Sequence, residues 1–113
     1  DSLNGETETA AREWATRTRD LLLRRSPTSL KVTLRQIREG RSLALPKIFR
    51  RELGMVRAAF EIGDVAEGVR AVLVDKDHQP RWRPATLAEV TPERVAAFFQ
   101  PWWTPGEHPL RHL

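Results

Sequence analysis

Apolar residues recur every three to four positions from Ala11 to Phe60, and the pattern breaks where a hydroxyl residue stands shortly before a proline. Those breaks are Ser26-Pro27 and Ser42 with Pro46, and further along the chain Thr91-Pro92 repeats the device. A Ser or Thr can accept a hydrogen bond from the first turn of a helix. A proline in that turn gives up an N–H that would have no partner anyway. The chain is therefore expected to be a set of helices joined at sharp corners. Between Thr9 and Arg25, the residues Ala11, Trp14, Ala15, Thr18, Leu21 and Leu22 form one stripe of an amphipathic helix. The next helix starts at Ser26, is expected to bury Leu30, Thr33, Leu34 and Ile37, and ends at Gly40 in the left-handed conformation. A third helix follows Ser42 and carries Leu45, Ile48, Phe49, Leu53, Val56, Ala59 and Phe60. Gly54 inside it implies close packing against another backbone, since an interior glycine costs about 1 kcal/mol relative to alanine.

Gly63 and Asp64 are expected to stop that helix and start another holding Val65, Val69, Val72 and Leu73. The β-branched run Val69–Val74 also fits a strand, and Glu67 in the first turn favours helix. Residues 77–84 are too interrupted for regular structure, so a loop is expected there. Thr86 with Glu89 reads as a capping box, and Thr91-Pro92 opens a last helix with Val95, Phe98 and Phe99. The final stretch holds three prolines and the pair Trp102-Trp103, an extended tail that must dock on its own domain or on a neighbour to be ordered.

With 113 residues, 40% of them hydrophobic, the chain suffices for one compact domain with a modest core. The absence of cysteine excludes disulfides, thiolate metal sites and a cysteine nucleophile, and a cytoplasmic location is expected. No apolar run approaches the roughly 20 residues that span a bilayer, so no membrane partner is expected. From Arg17 to Arg57, twelve basic residues face only Asp20, Glu39 and Glu52, a local net charge of +9. Such a band attracts polyanions or pairs with acidic partners elsewhere. It sustains a rival reading of the chain as a basic helical module for nucleic-acid binding or oligomerisation, although no reading helix is recognisable and nucleic acid is not the expected partner.

Two stretches carry a family resemblance. SPTSLKVTLRQIREG at Ser26 to Gly40 and EGVRAVLVDKDHQPRWRPATLAEVT at Glu67 to Thr91 resemble the crotonase (enoyl-CoA hydratase/isomerase) superfamily. Within it they are similar to the 3-hydroxyisobutyryl-CoA hydrolase branch: its helix after the catalytic core, then an EGVRA helix, a DKD turn and a W-x-P loop. Where that branch usually carries His-Asp-Phe, this chain has Ile62-Gly63-Asp64-Val65. The resemblance implies a spiral ββα core upstream, with an oxyanion hole and acidic residues that activate water against a thioester. This chain opens at Asp1 and has no Gly-Gly turn to supply such donors, so it is expected to be the C-terminal piece of a larger enzyme and inactive alone. The expected fold class is all-α: about five helices in a single helical domain over residues 1–99, the C-terminal helical region of a crotonase-type enzyme without its ββα spiral core. A Pro/Trp-rich tail spans residues 100–113.

No catalytic or metal residue is expected within the chain. His108 and His112 are spaced for one helix face, but Pro109 intervenes and no carboxylate completes a ligand set, so His78, His108 and His112 are read as exposed. Asp75 and Asp77 fit turn roles. Lys76, Arg81, Trp82 and Arg83 are the candidate cofactor-binding group. Cations beside an aromatic ring can hold phosphates and support a planar base, as the adenosine 3′-phosphate of coenzyme A requires, while Trp82 could equally anchor the loop. No cofactor is expected beyond the coenzyme A moiety of an acyl-CoA substrate. Phe98, Phe99, Trp102 and Trp103 are the candidate interface, implying a homo-oligomer in addition to the missing N-terminal core.

Overall fold

The computed structural model describes the backbone of residues 2–113 and the side chains of residue 5 and residues 7–113. Asp1, where the expected helical domain begins, lies outside the described residues. The elements are α1 (Ser2–Leu22), α2 (Pro27–Gly40), α3 (Leu45–Glu61), α4 (Val65–Val69) and α5 (Pro92–Ala97). A π-helical turn at Arg70–Val74 continues α4, and a 3₁₀ turn covers Leu87–Glu89. The all-α class holds, with no strand among the described residues. The β-branched run is absorbed into the π turn.

The corners are built largely as the residue types dictate. Ser26 accepts from the Ser29 N–H at 3.2 Å, and its own hydroxyl donates to Asp64 Oδ2 at 2.6 Å, so one side chain starts α2 and ties it to the head of α4. Thr91 accepts from the Arg94 N–H at 3.2 Å and starts α5. Three expectations need correction. Gly40 stays inside α2, which ends on Arg41 in right-handed geometry. Ser42 is not the cap of α3; its hydroxyl closes the preceding turn by donating to Glu39 O, and extended Ala44 precedes Leu45. Thr86 and Glu89 pair side chain to side chain at 2.7 Å without Thr86 capping the 3₁₀ turn.

The core is small. Among the described residues, its fully buried apolar members are Val32, Ala58, Ala71, Val90 and Phe98. Val32 of α2, Ala58 of α3 and Phe98 just past α5 form one cluster, flanked by Met55, Ile62, Val95 and Trp102. Consequently α2 turns inward the face carrying Thr28, Val32 and Gln36, not the expected one. Leu34 and Ile37 remain 47% and 59% exposed. The physical reason is partnership: α3 and α5 pack on the Val32 side, while Leu34 and Ile37 face an open groove shared with α1. α1 likewise leaves Trp14, Leu21 and Leu22 in solvent.

Arg94 locks the layers. Its guanidinium donates to Thr28 Oγ1, to the Ile62 carbonyl at 2.8 Å and to the Arg83 carbonyl at 3.0 Å, joining α2, the end of α3 and the following loop. Gly63 makes the α3–α4 corner possible, because a Cβ there would lie 2.8 Å from Ala59 O and 3.1 Å from Phe98 Cζ. Gly54 packs against the Trp102 side chain, not against a backbone.

The tail docks on its own chain. Arg57 Nη1 donates to the Trp102 carbonyl at 2.8 Å and its guanidinium lies over both indole rings. Arg50 donates to the carbonyls of Leu110 and Leu113. His108, expected to be exposed, is half-buried: its Nδ1 accepts the Leu110 N–H at 3.0 Å and its Nε2 faces Arg50 O at 3.2 Å. The radius of gyration is 17.9 Å, against about 13 Å for a compact domain of this length. The molecule is elongated, 61 by 38 by 26 Å.

Candidate functional site

Two features stand out, a charged knot built by the EGVRA and DKD stretches and an apolar groove between α1 and α2. In the knot, Glu67 and Arg70 are one turn apart on α4 and the π turn, so their side chains meet on one face. They pair through two bonds of 2.9 and 2.6 Å. The same guanidinium reaches Asp75 and Asp77, both at 2.8 Å, while Glu67 also accepts the Arg81 N–H at 2.8 Å. Four charged groups therefore pin the turn that follows the helix. Lys76 and His78 take left-handed backbone angles, φ 56° and 54°, within this clamp. Ala71, fully buried, accepts the His78 N–H. The Arg70 guanidinium, then the Arg81 N–H, hold the Glu67 carboxyl at about 2. Arg70 and the Gln79 N–H lower Asp77 likewise, and Glu67 above all raises Arg70.

A cavity of about 930 Å³ lies beside the knot, lined by Asp64, Glu67, Arg70, Asp77, Arg81 and Arg94 among others. Among its lining acids, Asp64, Glu67, Asp75 and Asp77 each engage a guanidinium, a hydroxyl or a backbone N–H. Asp64, for instance, accepts from Ser26 Oγ and from the Arg83 N–H. These carboxylates hold the loop in place.

The loop that follows separates the candidate coenzyme A group. Arg81 and Arg83 line the cavity beside the knot. Trp82 turns to the opposite side, where its ring meets Gly68 and its Nε1 donates to Arg24 O at 3.0 Å, in a second cavity with Val72, His78 and Pro80. Lys76 is exposed and lines neither. Consecutive side chains of this loop project to opposite sides. Trp82 anchors the loop to the turn after α1 and to α4, while Arg81 and Arg83 are exposed.

The interface group is also engaged within the chain. Phe98 is 3% exposed in the core. Phe99 lies under the guanidinium groups of Arg35 and Arg51, at 4.4 and 4.3 Å from its centroid. Trp102 and Trp103 are half-buried against α3 under Arg57. Much of the basic band is spent in the same way. Arg35 and Arg51 share Glu39, and their hydrogen bonds, Arg51 first, lower its carboxyl pKa.

The large unpartnered surface is elsewhere. Trp14, Leu22, Leu30, Leu34, Ile37 and Leu87 line a groove of about 890 Å³ whose walls are almost wholly apolar. Contiguous apolar surface of this kind on a water-exposed molecule marks a docking face. The periodicity of α1 and α2 signalled the stripe but not its direction. Arg70 and Arg94, the two residues that organise the fold, were missed. The Glu67–Arg70 spacing could have flagged the first, and nothing local flags the second.

The enoyl-CoA hydratase/isomerase family model matches residues 1–99, through all five helices. The chain belongs to this family. Within it, the sequence is similar to a mitochondrial 3-hydroxyisobutyryl-CoA hydrolase from Gallus gallus, 48% identical over 88 residues, which is 78% of this chain and 23% of the relative. The corresponding protein of Bos taurus is 51% identical over 75 residues, 66% of this chain and 19% of that one. 3-Hydroxyisobutyryl-CoA hydrolase-like protein 5 of Arabidopsis thaliana is 45% identical over 92 residues, 78% and 24% of the respective lengths. This family member is thus 3-hydroxyisobutyryl-CoA hydrolase-like, and it spans about a fifth to a quarter of the curated relatives it matches.

Proposed function

We propose that this chain is the helical flank of a larger CoA-thioester hydrolase, acting on 3-hydroxyisobutyryl-CoA or a close analogue. It covers the acyl-CoA site while residues elsewhere in the polypeptide carry the catalysis. The observation that carries this reading is the apolar groove between α1 and α2. Ile37 at 59% exposure and Trp14 at 64% have no cover among the described elements, and fully burying an exposed side chain of the Ile kind is worth about 1.5–3 kcal/mol, of which more than half is forgone here. The printed names of the relatives supply the chemistry, and their length supplies a body for the groove to rest on.

In this reading the Glu67–Arg70 knot is a brace. It fixes the loop carrying Arg81 and Arg83, whose exposed guanidinium groups can reach the phosphates of a bound coenzyme A. The reading includes assembly into a homo-oligomer and a cytoplasmic setting, although several animal relatives are named mitochondrial. The test is thiol release from 3-hydroxyisobutyryl-CoA by the full-length enzyme, with crotonyl-CoA hydration assayed in parallel. Thioester cleavage by the full-length enzyme and none by residues 1–113 alone is expected. Hydration without hydrolysis would overturn the substrate assignment, and turnover by the 113-residue chain would overturn the division of labour.

A further inference from the structure

The tail creates a pocket that the matched region by itself would not have. Residues 100–113 lie beyond the stretch matched by the family, and where they fold onto α3 they enclose about 440 Å³, within the size range of small-ligand sites. Every titratable side chain lining it is basic: Lys47, Arg50 and Arg51 from α3, and His108 from the tail. The first three are spaced at i, i+3 and i+4, so α3 presents them on one face. The rings of Phe99, Trp102 and Trp103 form the rest of the wall.

The charge is not cancelled locally. Lys47 has no ionic partner among the described residues. Arg50 donates to the main-chain oxygens of Leu110 and of Leu113, the last residue of the sequence. Arg51 shares Glu39 with Arg35, leaving that trio with a net positive charge. Two buried donors on lining residues, Arg51 Nε and Trp102 Nε1, have no acceptor among the described residues. Glu107, the tail's nearest acid in sequence, accepts from Thr104 Oγ1 and does not line the pocket. His108 is held in the wall by the Leu110 N–H, which donates to its Nδ1.

Cationic side chains with unspent donors recognise phosphate, and indole rings hold a planar base by stacking. We propose that the pocket between α3 and the docked tail binds a nucleotide, its phosphate held by Lys47 and Arg51 and its base set against Trp102 and Trp103. The site does not depend on the thioester reading, since no substrate group enters the argument.

Calorimetry of the full-length protein with 5′-AMP, adenosine and inorganic phosphate tests it. AMP binds saturably, adenosine does not, and inorganic phosphate competes. Lys47 is exposed and unpaired, so Lys47→Glu leaves the fold intact by circular dichroism and weakens AMP binding about tenfold or more. Trp103→Ala weakens AMP while leaving inorganic phosphate unchanged. Coenzyme A competing for the Lys47-dependent site identifies the nucleotide as one carried by that molecule; its exclusion identifies a free nucleotide. No saturable binding up to about 1 mM AMP, equal binding of adenosine, or an unchanged affinity in Lys47→Glu overturns the proposal.

Discussion

Replacing Gly63 by alanine tests the corner that positions α4, the knot and the loop. The added Cβ would lie 2.9 Å from Ala59 Cα and 2.8 Å from Ala59 O, both backbone atoms of α3, and 3.1 Å from the buried Phe98 ring. Carbon atoms are most favourably separated by about 3.5–4.0 Å, so the methyl intrudes by roughly 0.6 Å or more against atoms that cannot rotate away. Overpacking of this kind costs about 1–3 kcal/mol. Gly54→Ala is the internal control. Its Cβ would meet Trp102 Cδ1 at 3.6 Å, an ordinary contact, in the middle of a 17-residue helix. The gain in helix propensity there is about 1 kcal/mol, with the opposite sign. Urea denaturation of the protein and both variants, followed by far-UV circular dichroism, measures the two effects. A destabilised Gly63→Ala beside a neutral or stabilised Gly54→Ala is expected. A Gly63→Ala variant as stable as the parent would refute the close approach at the α3–α4 corner.

Further outcomes follow from the knot and the first corner. Glu67 has a folded value of about 2 against 4.5 for the free side chain, so its ionised form favours the folded state above pH 4.5, and that contribution is lost as pH falls from 4.5 towards 2. Carboxyl NMR titration should show Glu67 as the low-titrating group and Arg70→Met should return both Glu67 and Asp77 upward; unmoved values would rule out the clamp. Ser26→Ala removes the cap of α2 and the bond to Asp64 and should cost about 1–2 kcal/mol in denaturant titration. A loss below about 0.3 kcal/mol would show that neither bond matters.

The element map was legible because it rests on local chemistry. Ser26-Pro27 and Thr91-Pro92 specify helix starts by hydrogen bonds within a few residues, and both caps form. Which face turns inward was not legible. The stripe Leu30, Leu34, Ile37 is the stronger apolar signal, yet Val32 packs inside because Ala58 and Phe98, distant in sequence, meet it there. The cation–aromatic group at Lys76 to Arg83 looked like one site because its members are adjacent in sequence. In the folded loop they are distributed over opposite sides. The basic and aromatic residues that do converge, Lys47 and Arg51 with Trp102 and Trp103, are about 50 residues apart, and only the docked tail joins them.

What covers the groove between α1 and α2 decides whether this helical face belongs to a larger body. Ile37→Cys and Leu34→Cys can be labelled with a maleimide in the full-length enzyme and the rate at each site read by peptide mass spectrometry, which separates them from any cysteine elsewhere, with Glu107→Cys at an exposed position of the tail as reference. Protection of residues 34 and 37 by a large factor relative to residue 107 is predicted. Equal labelling at all three positions would contradict the claim that this face rests on the rest of the hydrolase.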